Sequence, residues 1–115
     1  MEVIKAGMLE HAQQKFDKSS NLRFAHHFVW LDGEGLHWGR QEGNYQSEEN
    51  YLRKSEIERV ESYGPVGTYD YSFKVVPFSK AEERHIFACS TYDDVYMWMG
   101  NICATCEIDF NPDEK

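Results

Sequence analysis

The chain has 115 residues, 41% hydrophobic and 15% aromatic, which is apolar bulk enough for one folded core and too little length for two. Twenty acids against 12 lysines and arginines give a net charge of −8, an average field that repels nucleic acid and anionic bilayers unless basic residues cluster locally. The three cysteines all lie in the last third and make no disulfide framework, so a reducing, cytoplasmic setting is expected; no apolar run is long enough to span a bilayer, and no signal peptide or myristoylation glycine is visible.

Val3 to Gln13 sets Val3, Ile4, Met8 and Leu9 among polar neighbours and reads as a first strand. Gln14 to Asn21 has the composition of a loop. From Leu22 to Leu31, Phe24, His26, Phe28 and Trp30 alternate, which places them on one sheet face. Asp32-Gly33-Glu34-Gly35 is a hairpin turn, and Leu36 to Arg40 is the return strand, with Leu36 and Trp38 sharing a face.

Gln41 to Glu49 is polar and acidic and reads as a loop, followed by a short strand over Tyr51–Lys54. Ser55 to Glu61 alternates weakly, with Ile57 and Val60 as its inward residues. A turn at Ser62 to Gly67 precedes the alternating Tyr69, Tyr71, Phe73 and Val75, a strand that Pro77 ends. Arg84 to Ser90 is the last strand. The period then changes: Val95, Trp98, Met99, Ile102 and Cys106 form one stripe of an amphipathic helix, and Thr91 with Asp94 makes an N-terminal cap. The expected domain covers residues 1–108, and 109–115 is an acidic tail expected to fray.

Seven strands and a C-terminal helix resemble the pleckstrin-homology (PH) domain, and three stretches carry the resemblance. Gly7-Met8-Leu9-Glu10-His11 resembles the family's opening strand, His27-Phe28-Val29-Trp30-Leu31 its second strand, and Trp98 the family's near-universal helix tryptophan. The spacing, including Ser55 to Val60, is similar to phospholipase-type members. The resemblance implies a mainly β fold: a barrel of seven antiparallel strands in two orthogonal sheets, capped by the helix. Gly7, Phe28 and Trp98 would then be structural, Trp98 filling the barrel mouth with roughly 2–3 kcal/mol of apolar burial.

Members that bind phosphoinositides do so at the open end, through the first loop and basic residues of strands one and two. Several phosphates must be neutralised within a few ångströms, which demands clustered lysine and arginine. Here the first-strand lysine is replaced by His11, and the second-strand basic pair falls on Ala25 and His27. Lys15, Lys18 and Arg23 remain nearby, while Glu42, Glu48, Glu49, Glu82 and Glu83 bring opposing charge to the rim. The pocket reads as vestigial. Lys15, Phe16 and Lys18 offer either a shallow lipid contact or an ordinary loop tip.

Other patterns are weaker. Cys103-Ala104-Thr105-Cys106 ends a helix, has no second cysteine pair, and reads as structural thiols. His26 and His27 are adjacent on a strand and point to opposite faces, so they cannot serve one site. No nucleophile elbow, P-loop or dinucleotide-binding pattern occurs, and no enzyme activity, cofactor, metal, nucleic acid or small-molecule substrate is implied. Tyr45, Tyr51, Tyr63, Tyr69, Tyr92 and Tyr96 either anchor protein contacts or line the sheet faces.

The expected function is a non-catalytic scaffold module that binds a protein partner, with weak binding of phosphoinositide or acidic lipid through Lys15, Lys18, Arg23, His11 and His27 as the alternative. That alternative predicts tighter binding as pH falls towards six and the imidazoles gain charge. A resemblance also exists to short acylated scaffold proteins of the apicomplexan inner membrane complex, although their acylated Met-Gly-Cys start is absent. It implies a protein partner at a membrane-associated cytoskeletal structure, on the cytosolic face, with attachment through a lipidated segment.

Overall fold

The computed structural model describes residues 2–14, 22–39, 50–79 and 83–110. Lys15, Phe16, Lys18, Glu42, Tyr45, Glu48, Glu49 and Glu82 lie outside them.

The described residues form seven strands and one long helix: β1 Val3–Gln14, β2 Ala25–Asp32, β3 Gly35–Gly39, β4 Asn50–Arg53, β5 Ile57–Ser62, β6 Tyr71–Pro77, β7 Arg84–Cys89 and α1 Tyr92–Cys106. All neighbouring strands are antiparallel, in the order β4-β3-β2-β1-β7-β6-β5. The two halves of the barrel are continuous through β1. Its residues from Val3 to His11 pair with β2, and those from Glu10 to Gln14 pair with β7. Glu10 and His11 belong to both ladders, so the sheet turns its corner there.

The β2–β3 hairpin closes as its turn chemistry demands. Asp32 Oδ1 accepts hydrogen bonds from the backbone N–H groups of Glu34 (2.9 Å) and Gly35 (3.2 Å), fixing the chain reversal. β4 then passes so close that a Cβ on Gly35 would collide with the Leu52 carbonyl oxygen. Glycine is required there by close approach as well as by the turn.

In β5, Ile57 and Val60 are both buried although three residues apart. An extra residue between Ile57 and Arg59 shifts the register, and this bulge brings both side chains to the same face. β5 ends the sheet and carries Glu58, Arg59 and Glu61, whose charges discourage pairing with another chain.

The core lies between the sheet and α1: Leu9, Val29, Leu31, Leu36, Trp38, Phe73, Val75 and Phe87 meet Val95, Trp98, Met99 and Ile102. The helix stripe falls where the 3.6-residue period put it, although Cys103 is more deeply buried than Cys106. Thr91 caps the helix by accepting the Asp94 N–H at 3.1 Å. Trp98 is a core residue beside Gly7, where a Cβ would meet its ring at an ordinary 3.8 Å.

The alternating Phe28 and Trp30 share a sheet face, as their period predicts, and that face is turned away from this core. Val29 and Leu31 point inward, while Phe28, Trp30, His37 and Tyr51 stack on the other face, with Trp30 and His37 parallel at 5.0 Å and His37 and Tyr51 at 4.3 Å. Glu107 takes the left-handed conformation, the Ile108 N–H donates to the Cys103 carbonyl at 3.0 Å, and Phe110 folds back on Tyr96 and Gly100. Residues 111–115 lie outside the described set.

Candidate functional site

At the open end of the barrel, His11, Gln13, Arg23, Ala25, His27, Trp38 and Asn50 line a cavity of about 370 Å³. β1 supplies its floor and β2 its wall, because the register sets His11 opposite Ala25 and Leu9 opposite His27. The structure therefore brings together three of the five residues expected to form the pocket: His11, Arg23 and His27. Lys15 and Lys18 lie outside the described residues.

His11 does not stand in for a lysine electrically. Its Nδ1 is 3.2 Å from His27 Nδ1, and its Nε2 is 3.0 Å from His85 Nδ1. The ring stacks on Phe87 at 4.7 Å and lies 5.0 Å from Trp38. Burial, and then the neighbouring His85 and His27, lower its pKa to about 3, while burial lowers that of His85 to about 4. A neutral imidazole donates from one ring nitrogen and accepts at the other, so His11 suits its place in the middle of this chain only while uncharged. Charging on approach to pH 6, expected of the pocket histidines, fails for His11 because burial and its two neighbours oppose a proton.

Arg23 is thus the one permanent cation among the described residues that line the cavity. The three histidine rings bond to one another in a chain, and among the described residues no three histidine, cysteine or acidic side chains are placed to hold one metal ion. Sequence reasoning missed His85, which lies 74 residues from His11 and meets it only because β7 pairs with β1.

The opposite face of β1 has different chemistry. Glu10 pairs with His26 at 2.9 Å, confirming that His26 and His27 serve different faces. A second cavity of about 370 Å³ lies there, walled by Met8, Glu10, Tyr69, Asp70, Tyr71 and Asp94 among others. Of the six tyrosines singled out, Tyr92 and Tyr96 are exposed, Tyr51 stacks on His37, and half-buried Tyr63 accepts the Gln14 amide at its hydroxyl with the Lys74 ammonium over its ring. The cysteine thiols are held protonated. Burial, reinforced by nearby Asp94, pushes Cys89 up to about 12; burial likewise raises Cys103 and Cys106 to about 11.

A strand-built barrel with one helical plug and a shallow cavity at its open end defines a binding module. The family model for the PH domain matches residues 3–107, and the chain belongs to that family. No curated protein matches. Among solved structures, a Slm1 PH domain described as binding ligand outside the usual site superposes with a TM-score of 0.70 at 18% identity, over 92% of this chain and 99% of that one. A Slm1 PH domain in complex with phosphoserine gives 0.70 at 19%, over 91% and 96%. The PH domain of human pleckstrin homology domain-containing protein family A member 5 gives 0.66 at 13%, over 98% and 84%. At these identities the likeness establishes the fold. No helix among the described residues is long and apolar enough to cross a membrane.

Proposed function

We propose that this PH domain is a scaffold module that recognises a protein partner and has lost high-affinity phosphoinositide binding. The observation that carries the reading is His11, which occupies the position of the family's first-strand lysine as a neutral, doubly hydrogen-bonded ring. Among the described residues the cavity offers one arginine, too few cations to neutralise several phosphates, and the carboxylates across β1 oppose any polyanion that approaches that side.

A second reading has its own support: Slm1 PH domains have been solved with inositol 4-phosphate and with phosphoserine. In it, Lys15, Lys18 and Arg23 hold acidic lipid weakly, with His27 and His11 at the pocket wall and floor. Co-sedimentation with phosphatidylcholine vesicles, with and without each phosphoinositide and at two salt concentrations, separates the two. Sedimentation no greater than with phosphatidylcholine alone is expected. Salt-sensitive binding to a phosphoinositide, abolished by Arg23→Glu together with Lys15→Glu and Lys18→Glu, would overturn the scaffold reading.

A further inference from the structure

The first half of β1, among the described residues, has a ladder on one side only. Among the described residues, Val3 to Leu9 pairs with β2, while the ladder to β7 begins at Glu10. In an antiparallel strand alternate residues turn their N–H and C=O groups to each side, so about half of the backbone groups along roughly 20 Å face an edge with no strand on it. A chain added there would lie end to end with β7, beyond Cys89 and Ser90.

The side chains along this edge are unusual for an exposed surface. Ile4 and Met8 are 47% and 38% exposed, and Tyr71 is 40% exposed. Met8 and Tyr71 run into the cavity between β1, the turn before β6 and the start of α1. Its walls carry the carboxylates of Glu10, Asp70 and Asp94 with the rings of Tyr69 and Tyr71, and among the described residues no lysine or arginine lines it. Glu10 also pairs with His26. Lys5 is on the core side of the strand, held over the Trp98 ring at 5.1 Å.

We infer that this edge binds an extended segment of a protein partner, whose backbone continues the sheet on β1 and whose lysine or arginine enters the carboxylate- and tyrosine-lined cavity. The occupant follows from complementarity. An open strand edge takes a strand, apolar side chains on one face take apolar residues at alternate positions, and an acid-walled cavity with aromatic faces takes a cation. The chain's net charge of −8 steers such a partner in and turns acidic segments away. This inference rests on the protein-binding reading and gives that reading a place and a chemistry.

The test is selection of a random dodecapeptide library on the whole chain, followed by anisotropy titration of the enriched peptides against wild type, Asp70→Lys and Met8→Lys. Both positions are exposed, and circular dichroism checks that the variants fold. Enriched peptides are expected to carry lysine or arginine among alternating apolar residues, to lose at least tenfold in affinity on each variant, and to slow amide exchange between Val3 and Leu9. Peptides that bind both variants as well as wild type overturn this surface while leaving a protein-binding module intact. Failure to enrich any peptide overturns the inference, and phosphoinositide binding in the vesicle assay then removes the scaffold reading with it.

Discussion

His11 and His85 share a 3.0 Å hydrogen bond inside the barrel, and both are held well below the usual histidine pKa by burial, His11 at about 3 and His85 at about 4. The unfolded chain takes up protons on these rings below about 6.5, and the folded chain does not until near their lowered values. The unfolded state therefore binds more protons across that window, and stability falls as pH drops through it, by on the order of a few kcal/mol in total. Urea midpoints measured from pH 7.5 to 4.5 are expected to decline steadily. His85→Gln, which removes one of the two titrating rings, is expected to flatten the decline; an unchanged slope would contradict the account.

The approach of β4 to the β2–β3 hairpin leaves no room for a side chain at Gly35. Gly35→Ala is expected to cost roughly 2–3 kcal/mol, because Leu52 and Arg53 must move as backbone. Gly33, exposed at the tip of the same hairpin, serves as the control position, where alanine should cost less. Equal thermal midpoints for the two variants would show that β4 yields easily.

Glu107 ends α1 with φ of 58°, a conformation that an L-residue with a Cβ adopts at a cost of about 1 kcal/mol. Glu107→Gly is expected to raise stability by about that amount, less a few tenths for the freer unfolded chain. Denaturant midpoints decide it; a lower midpoint in the glycine variant would place the value of Glu107 in its side chain.

Burial that lifts Cys89 to about 12 from an ordinary 9 leaves about a thousandfold less thiolate at neutral pH. Iodoacetamide is therefore expected to label Cys89 in the folded protein at least tenfold more slowly than in urea, because a more basic thiolate is also more nucleophilic and offsets part of the lost fraction. Fast native labelling would reveal an opening of the β7–α1 region that the fold does not require.

Much of the fold was legible because each element states its own period. Strands alternate, the final stripe repeats at helical spacing, and Asp32 and Thr91 mark a turn and a cap with side chains that make the expected bonds. What alternation could not state was direction. Alternation put Phe28 and Trp30 on one face without saying which; β2 is buried on both sides, and its residues in the helix-facing core are Val29 and Leu31. The site was half legible: His11, Arg23 and His27 do converge, but nothing near His85 in sequence says that it will lie under His11. That contact, and the open edge beside it, depend on where one ladder of β1 stops and the other begins.

The double pairing of β1 also orders events during synthesis. β2, β3 and β4 follow β1 closely and can stack on it as a meander while the chain is still emerging. The last residues of β1 must wait for Arg84–Cys89, about seventy residues later, before the barrel closes. Until then His11 lacks its lid and the half-built sheet shows its apolar side to solvent, so closure is a late, entropically slow step and the interval of greatest exposure to chaperones and aggregation.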